Sequence, residues 1–359
     1  MNIHKKIYRR AIALLFQLKQ KFFMKSLHKN GDDKIIFIVP NGDIITGGIM
    51  SILNIFHITE RTFPDKKIFI AISDNVQRFT KYTHLESNTR ILNFNIFAKD
   101  WLENNSNILI HVWDGGSAAF FQEMESLGLI DKFDNVIINI LNQNQDLMPK
   151  SEELFKYSKT VKSMTMTLAF KENSNNNYPY LNIKPKFVGA LIGNIETNQI
   201  RFKDKDNLCI ISPDKNPHKD AIIKKLLNRG IECFQNYPIP FHKFIELQKR
   251  AKWTISFGEG WDGYTSYQFR NGGIGFGVYQ KQFSQSYFDE HNLPPFLFKS
   301  YDEMENEIIS KIEMYDNEDI YNKTNDEIIE IMDSDSDRST PERVEQWWRE
   351  YYHEIGYLN

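Results

Sequence analysis

The strongest constraint on the fold is an alternation that begins at Lys34. Short apolar runs take turns with stretches of helical period: KIIFIVP then IMSILNIFHI, KIFIAIS then a polar helix or loop, RILNF then FAKDWLE, ILIHVWD then AAFFQEMESLGL, and VIINIL. A strand that is apolar at every position is covered on both faces, and strands covered by helices are joined by helical crossovers. The sheet is therefore expected to be parallel and Rossmann-like. A polar, irregular stretch follows between Glu172 and Asn207, suited to a linker, and then the order repeats. NLCIISP, IECFQNY and WTISFG are expected as strands, DAIIKKLLNRG and FHKFIELQKRA as helices, and SYQFRNGG as a helix start or turn. A chain of 359 residues exceeds what one core usually serves, so two α/β units are expected. A C-terminal helix closes the chain, with Ser339 or Thr340 as its cap and Pro341 in its first turn.

Composition narrows the function. The charged and apolar fractions are those of a globular protein, and no apolar run is long enough to cross a bilayer. Two cysteines, Cys209 and Cys233, build neither a disulfide framework nor a zinc cluster, and no cleavable signal peptide is recognised, so a cytoplasmic location is expected. The net charge is −3, but residues 1–29 hold eight Lys or Arg and no acid, which leaves −11 on the remainder. So acidic a body disfavours nucleic acid as a partner. In the basic start, Ile3, Ile7, Ala11, Leu14, Leu18 and Phe22 form one stripe, with Lys5, Lys6, Arg9 and Arg10 opposite. Such a helix suits an anionic membrane surface; the alternative is that the stripe packs on the protein itself. The acidic MDSDSDR lacks the turn glycine and terminal Glu of a calcium loop and is expected to be a solvated loop.

Ligands of open α/β sheets bind beyond the carboxyl ends of the strands, and the unusual residues of this chain lie there. After KIIFIVP comes NGDIITGGI, where Gly47 and Gly48 open a helix whose free N–H groups favour an anion; a plain glycine turn is the alternative. It is neither a P-loop nor GxGxxG. After ILIHV comes WDGG, with His111 and Asp114; a histidine at a strand end is often only structural. After LCIIS comes PDKNPHKD, where Lys215 and Lys219 suit a diphosphate or are ordinary surface lysines. After WTISF comes GEGWDGY, which sets Glu259 and Gly260 beside Trp261 and Tyr264. A carboxylate there suits sugar hydroxyls, glycines admit phosphate close to the backbone, and aromatic rings suit a sugar's apolar face.

These residues resemble the GT-B glycosyltransferases, above all bacterial enzymes that build capsule, lipopolysaccharide or other surface glycans, the family-4-type group among them. SFGEGWDGY, TSYQF and RNGGIGFGVY resemble the family's S-x-x-E-G segment, its following helix and its small-residue pair before the next strand. ISPDKNPHKD resembles its phosphate-binding loop and NGDIITGGI its glycine-rich acceptor loop, in matching order over most of residues 34–300. The resemblance departs at the ribose-binding Glu, separated from the first by seven residues: Tyr267 occupies that position with Gln268 beside it.

The resemblance implies two Rossmann-like domains facing a cleft. The expected domains are a basic helix at 1–30, an acceptor domain at 31–190, a nucleotide-sugar domain at 191–338, and a helix at 339–359 that crosses back on the first domain. It implies transfer of a sugar, of hexosyl type, from a nucleotide-diphosphate donor to a hydroxyl of a surface glycan or lipid-linked glycan, with no metal and no other cofactor. It implies donor binding by Ser212, Lys215, Lys219, Tyr237, Gly258, Gly260, Tyr264, Tyr267 and Gln268, acceptor binding by Gly47 and Gly48, and orientation of the donor sugar by Glu259. Asp114, Asp43 and His111 are the candidate bases, should the reaction invert the anomeric centre. A sugar-nucleotide epimerase of the same fold, or a non-catalytic binder of nucleotide or glycan, is the alternative.

Overall fold

The structure, a computed structural model, describes residues 14–15, 18–22, 33–44, 46–74, 79–104, 107–144, 147, 155–157, 160–166, 183, 185–189, 200–235, 239–285, 287–334 and 340–357. The chain forms two compact units, one of residues 1–83, 87–191 and 339–359, the other of residues 84–86 and 192–338.

The first unit runs through β1 (Lys34–Ile38), α1 (Gly47–Thr62), β2 (Lys67–Ile72), β3 (Ile91–Asn93), α2 (Phe94–Asn104), β4 (Ile108–Trp113), α3 (Ser117–Ser126), β5 (Val136–Asn142), β6 (Val161–Met166) and β7 (Lys186–Phe187). Its strands pair in the order β3-β2-β1-β4-β5-β6-β7, all parallel. All five residues of β1 are buried, as expected of a strand covered on both faces. The winding reverses beside it, because β1 pairs with β2 on one side and β4 on the other. Strands β6 and β7 extend the sheet beyond the strands expected from apolar runs, and β7 lies inside the stretch read as a linker. VKSMTM interleaves buried Val161 and Met164 with exposed Lys162, so it lacks the continuous apolar run that marks the central strands.

The C-terminal helix α10 (Pro341–Glu354) is capped by Thr340, whose hydroxyl accepts from Arg343 N at 3.3 Å. It belongs to the first unit and buries Val344, Trp348, Tyr351 and Tyr352 there. A chain of hydrogen bonds crosses this contact. Asn139 Nδ2 donates to His111 Nδ1 at 3.0 Å, which leaves the ring proton on Nε2, 3.3 Å from the Tyr352 hydroxyl. Tyr352 is 2.6 Å from Thr59 Oγ1, which in turn donates to Ile55 O within α1. Ser163 extends the network by bonding both Asn139 Oδ1 at 2.8 Å and the Tyr351 hydroxyl at 2.7 Å.

The second unit runs through β8 (Asp206–Ile211), α4 (Lys219–Asn228), β9 (Glu232–Phe234), α5 (Phe241–Arg250), β10 (Ala251–Ile255), α6 (Gly263–Arg270), β11 (Ile274–Val278), α7 (Lys281–Ser284), β12 (Leu297–Phe298), α8 (Tyr301–Tyr315) and α9 (Glu318–Ser334). The order is β12-β11-β10-β8-β9, again parallel throughout, and here the winding reverses between β8 and β10. Its main core joins Cys209, Ile211, Trp253, Ile255 and Phe276 of the strands to Met304 and Ile308 of α8 and Tyr321 of α9. Beneath the opposite side, Leu208, Ile210 and Ala251 pack with Phe244, Leu247 and Tyr264.

His111 is wholly buried, and desolvation pulls its pKa from the ordinary 6.5 to about 3. The unfolded chain therefore takes up a proton near pH 6.5 that the folded chain refuses until about pH 3, so stability is full above 6.5 and falls as the pH drops through this window. Thermal melts of the wild-type chain and of His111→Gln check this. The variant is expected to melt lower at neutral pH but to lose less between pH 6.5 and 4.

Candidate functional site

The reversal between β8 and β10 parts the two chains at their carboxyl ends, and short hydrogen bonds tie the gap together. Ser212 donates its amide to Ile255 O at 3.0 Å, and its hydroxyl accepts from Phe257 N at 2.9 Å. The loop after β8 then presses on the loop after β10 so closely that a Cβ on Gly258 would lie 3.0 Å from Asp214 Oδ2. Lys219, the first residue of α4, folds its ammonium back on this loop, donating to Ser212 O at 2.6 Å and Asp214 O at 3.1 Å. Partial desolvation lowers its pKa from the ordinary value, and one of its three N–H groups is left for a ligand. Lys215 stands exposed in the same loop.

The turn 258–262 is tight for reasons the geometry makes plain. Gly260 has φ +74°, and a Cβ there would overlap the Val278 carbonyl, so glycine serves both the dihedral and the close approach. Asp262 is the N-cap of α6. Its carboxylate accepts from Tyr264 N at 2.8 Å and Thr265 N at 3.3 Å, while Thr265 Oγ1 accepts from Asp262 N at 2.9 Å, a reciprocal capping box. The same carboxylate accepts from the Ser256 hydroxyl at 2.5 Å. Burial nevertheless outweighs these bonds and pushes its pKa up to about 6. Glu259 is the half-buried carboxylate of the turn, and its carbonyl accepts from Trp261 N.

Several residues that the sequence offers for this site have other work. Trp261 is buried against Phe269, Phe288 and Phe296 and offers no face to a sugar. Gln268 is buried beneath the sheet and donates to Ala251 O at 2.6 Å, so it does not reach a ribose. Tyr264 is half-buried with its ring edge against Phe244, and Tyr267 is half-buried beside Gly263, with burial raising its hydroxyl pKa. Tyr237 lies outside the described residues. The amides of Tyr264 and Thr265, which a phosphate at the start of α6 would need, are occupied by Asp262.

In the first unit the corresponding strand ends are those of β1 and β4. His111 is no base for an acceptor, since it is stacked on Phe37 at 4.5 Å and roofed by Trp348 and Tyr352. Asp114 is also buried: its carboxylate accepts from Gly115 N at 2.8 Å, Gln143 N at 2.8 Å and Asn144 N at 2.9 Å. It clamps the end of β4 to the end of β5. Desolvation raises its pKa and the three amides work against that shift. Asp43 is half-buried and accepts from the Thr83 hydroxyl. Gly47 and Gly48 begin α1 behind the Thr46 cap, and Gly48 admits Gln143, whose amide donates to Gly48 O at 3.2 Å.

Residues that sequence reasoning missed complete the second unit's loops. The Tyr301 hydroxyl donates to Phe257 O at 2.9 Å, Gln280 Nε2 donates to Gly258 O at 2.6 Å, and His218 is 2.7 Å from a Glu305 carboxylate oxygen. Tyr301 and Gln280 carry no local signal, because they reach the loop from 44 and 22 residues away. Asp262 was legible: an acid three residues before Thr265 at a helix start is a capping signature. No group of three His, Cys, Asp or Glu side chains is placed to hold a metal ion among the described residues.

The sequence matches no protein-family model and no curated protein. Solved structures match the fold over nearly the whole chain. The pneumococcal O-GlcNAc transferase GtfA, in complex with UDP and GlcNAc, aligns at a TM-score of 0.58 and 8% identity over 92% of this chain and 100% of that one. Anabaena HepE in complex with UDP-glucose aligns at 0.56 and 11% identity over 89% and 99%. A UDP-N-acetylglucosamine 2-epimerase aligns at 0.50 and 9% identity over 92% and 98%. The chain has the GT-B fold. With sequence identity this low, the likeness extends to architecture alone.

Substitutions at two positions test the turn. Gly260→Ala is expected to destabilise the protein by more than about 1 kcal/mol, read as a lowered Tm, because neither its φ nor its space suits a side chain. Asp262→Ala is expected to cost about 1 kcal/mol through loss of the cap, whereas Asp262→Asn keeps most of it.

Proposed function

We propose that the chain is a glycosyltransferase of hexosyl type that moves a sugar from a nucleotide-diphosphate donor to a hydroxyl of a bacterial cell-surface glycan, such as capsule, O-antigen or lipooligosaccharide. The observation that carries this is the pair of lysines at the β8–β10 reversal, where Lys219 is held by the Ser212 and Asp214 carbonyls in a loop that packs on Gly258 of the 258–262 turn. A pyrophosphate laid along this edge meets Lys219 and Lys215 beside the 258–262 turn. As the bond from the anomeric carbon to the phosphate oxygen breaks, its electron pair goes to the leaving diphosphate, and the two lysines stabilise that charge. No metal ion is needed in this scheme. Glu259 orients the donor sugar. The acceptor hydroxyl attacks the anomeric carbon, and its proton passes to the departing phosphate or to Asp43, the half-buried carboxylate of the first unit. Gly47 and Gly48 open the acceptor side. The glycan acceptor is presented at the inner face of a membrane, to which residues 1–29 attach the protein peripherally from the cytoplasm.

The test is incubation with a panel of uridine and guanosine diphosphate sugars, without acceptor, followed by measurement of released nucleotide diphosphate. One donor is expected to be hydrolysed slowly, unaffected by EDTA. Lys219→Ala is expected to slow release by about a hundredfold, the size of effect seen when one donor to a developing anion is removed, and Glu259→Gln to lower kcat more than it raises KM. Conversion of the sugar with no release would make the protein an epimerase, and saturable binding with neither outcome would make it a binder.

A further inference from the structure

The N-terminal helix of this fold has a front and a back, and the structure tells them apart. Residues 14–15 and 18–22 are helical. Gln20 is 4% exposed and docks its side-chain amide on the free edge of β3 like one more peptide group. Its Oε1 accepts from Asn93 N at 2.9 Å, and its Nε2 donates to Ile91 O at 3.4 Å. On a helix, Leu18 and Phe22 share one side and Gln20 takes the other, because positions four apart superpose and positions two apart do not. With Gln20 fixed to the sheet, the apolar side is turned outward: Leu14 is 59%, Leu15 59%, Leu18 55% and Phe22 81% exposed. Lys19 and Lys21, both exposed, fall on either flank of the Leu18–Phe22 line. An outward apolar stripe with lysines on its flanks is the arrangement in which ammonium groups reach lipid headgroups while the stripe enters the acyl boundary.

Charge identifies the partner. The first 29 residues carry eight cations and no acid on a chain whose remainder is at −11, so an anionic lipid surface attracts this segment and repels the rest of the molecule. The same end of the sheet carries an open groove of about 510 Å³, walled by Phe56, Phe63, Ile68 and Leu92 with Lys67 and Arg90 at its polar margin, where the β2–β3 connection holds no helix among the described residues. We propose that the β3 edge of the first unit is the docking face for an anionic bilayer, with Leu14, Leu15, Leu18 and Phe22 inserted and Gln20 fixing the helix to the sheet. This deepens the membrane attachment proposed above by naming the inserted side chains, the fixed orientation and the class of lipid.

The experiment is flotation of the full-length protein, without nucleotide sugar, on vesicles of phosphatidylcholine alone and of phosphatidylcholine with phosphatidylglycerol. Wild type is expected to float with the anionic vesicles, to do so at least about tenfold less with the neutral ones, and to be released by salt. The Leu18→Gln/Phe22→Gln double variant, whose charge is unchanged, is expected to lose about a hundredfold in partitioning, with its Tm within a few degrees of wild type. Undiminished flotation of that variant, failure of wild type to float, or a wild-type dimer in sedimentation that the variant dissociates would each overturn the proposal. The dimer would show that the stripe's occupant is a second copy. Donor hydrolysis is measured separately, so loss of the transferase assignment and loss of the docking face are distinguishable.

Discussion

Everything distinctive about the second unit follows from one pair of neighbours, β8 and β10. They are parallel and hydrogen-bonded to each other, yet β8 hands the chain on to β9 at one edge while β10 hands it on to β11 toward the other. Consecutive connections that diverge leave the carboxyl ends of two adjacent strands without a covering crossover between them. The backbone groups exposed there must still find partners. Ser212 supplies them by taking the amide of Phe257 on its hydroxyl while giving its own amide to Ile255. That bridge fixes the distance between the two loops, and with it the positions of Gly258, Lys219 and the turn beyond.

Both units use an aspartate in the same way, just past a strand that borders the reversal. Asp262 takes up the first amides of α6, and Asp114 takes up three amides at the ends of β4 and β5. In each case burial raises the carboxyl pKa and the amides oppose it. A carboxylate already bound to several amides is a poor partner for a substrate. Around these clamps lie half-buried and exposed side chains: Glu259, Lys215 and Lys219 in the second unit, and Asp43 in the first.

How much of this the chain announces depends on the range of the contact involved. The central strands β1, β4, β5, β8 and β10 are mostly apolar and could be read directly, and Thr340 with Pro341 marked the last helix. Strand β6 hid behind its lysine and serine, and β12 is only two residues long. The loops of the site were legible through their glycines, but the roles inside them were not. His111 resembles a strand-end base until Tyr352, 241 residues away, closes over it. Gln268 sits where a ribose partner is looked for, yet one turn of helix carries it under Ala251, and Trp261 turns inward because Phe288 and Phe296 come from beyond the next strand. Local pattern locates a loop; only tertiary contact decides which of its side chains are spent on holding it.

The same limit governs the amphipathic start, where periodicity marks a stripe without saying whether the stripe looks in or out. A single polar residue breaks the tie. Edge strands must have their open row of N–H and C=O groups covered, and a glutamine amide is the side chain whose donor and acceptor match a peptide group. If the apolar side faced the sheet, the β3 edge would meet leucine and phenylalanine, which satisfy neither group. With Gln20 on Ile91 and Asn93 both are met, and the helix is held in the one rotation that leaves its leucines uncovered. The polar bond therefore costs the exposure of four large apolar side chains, an arrangement water alone does not reward and a partner surface does.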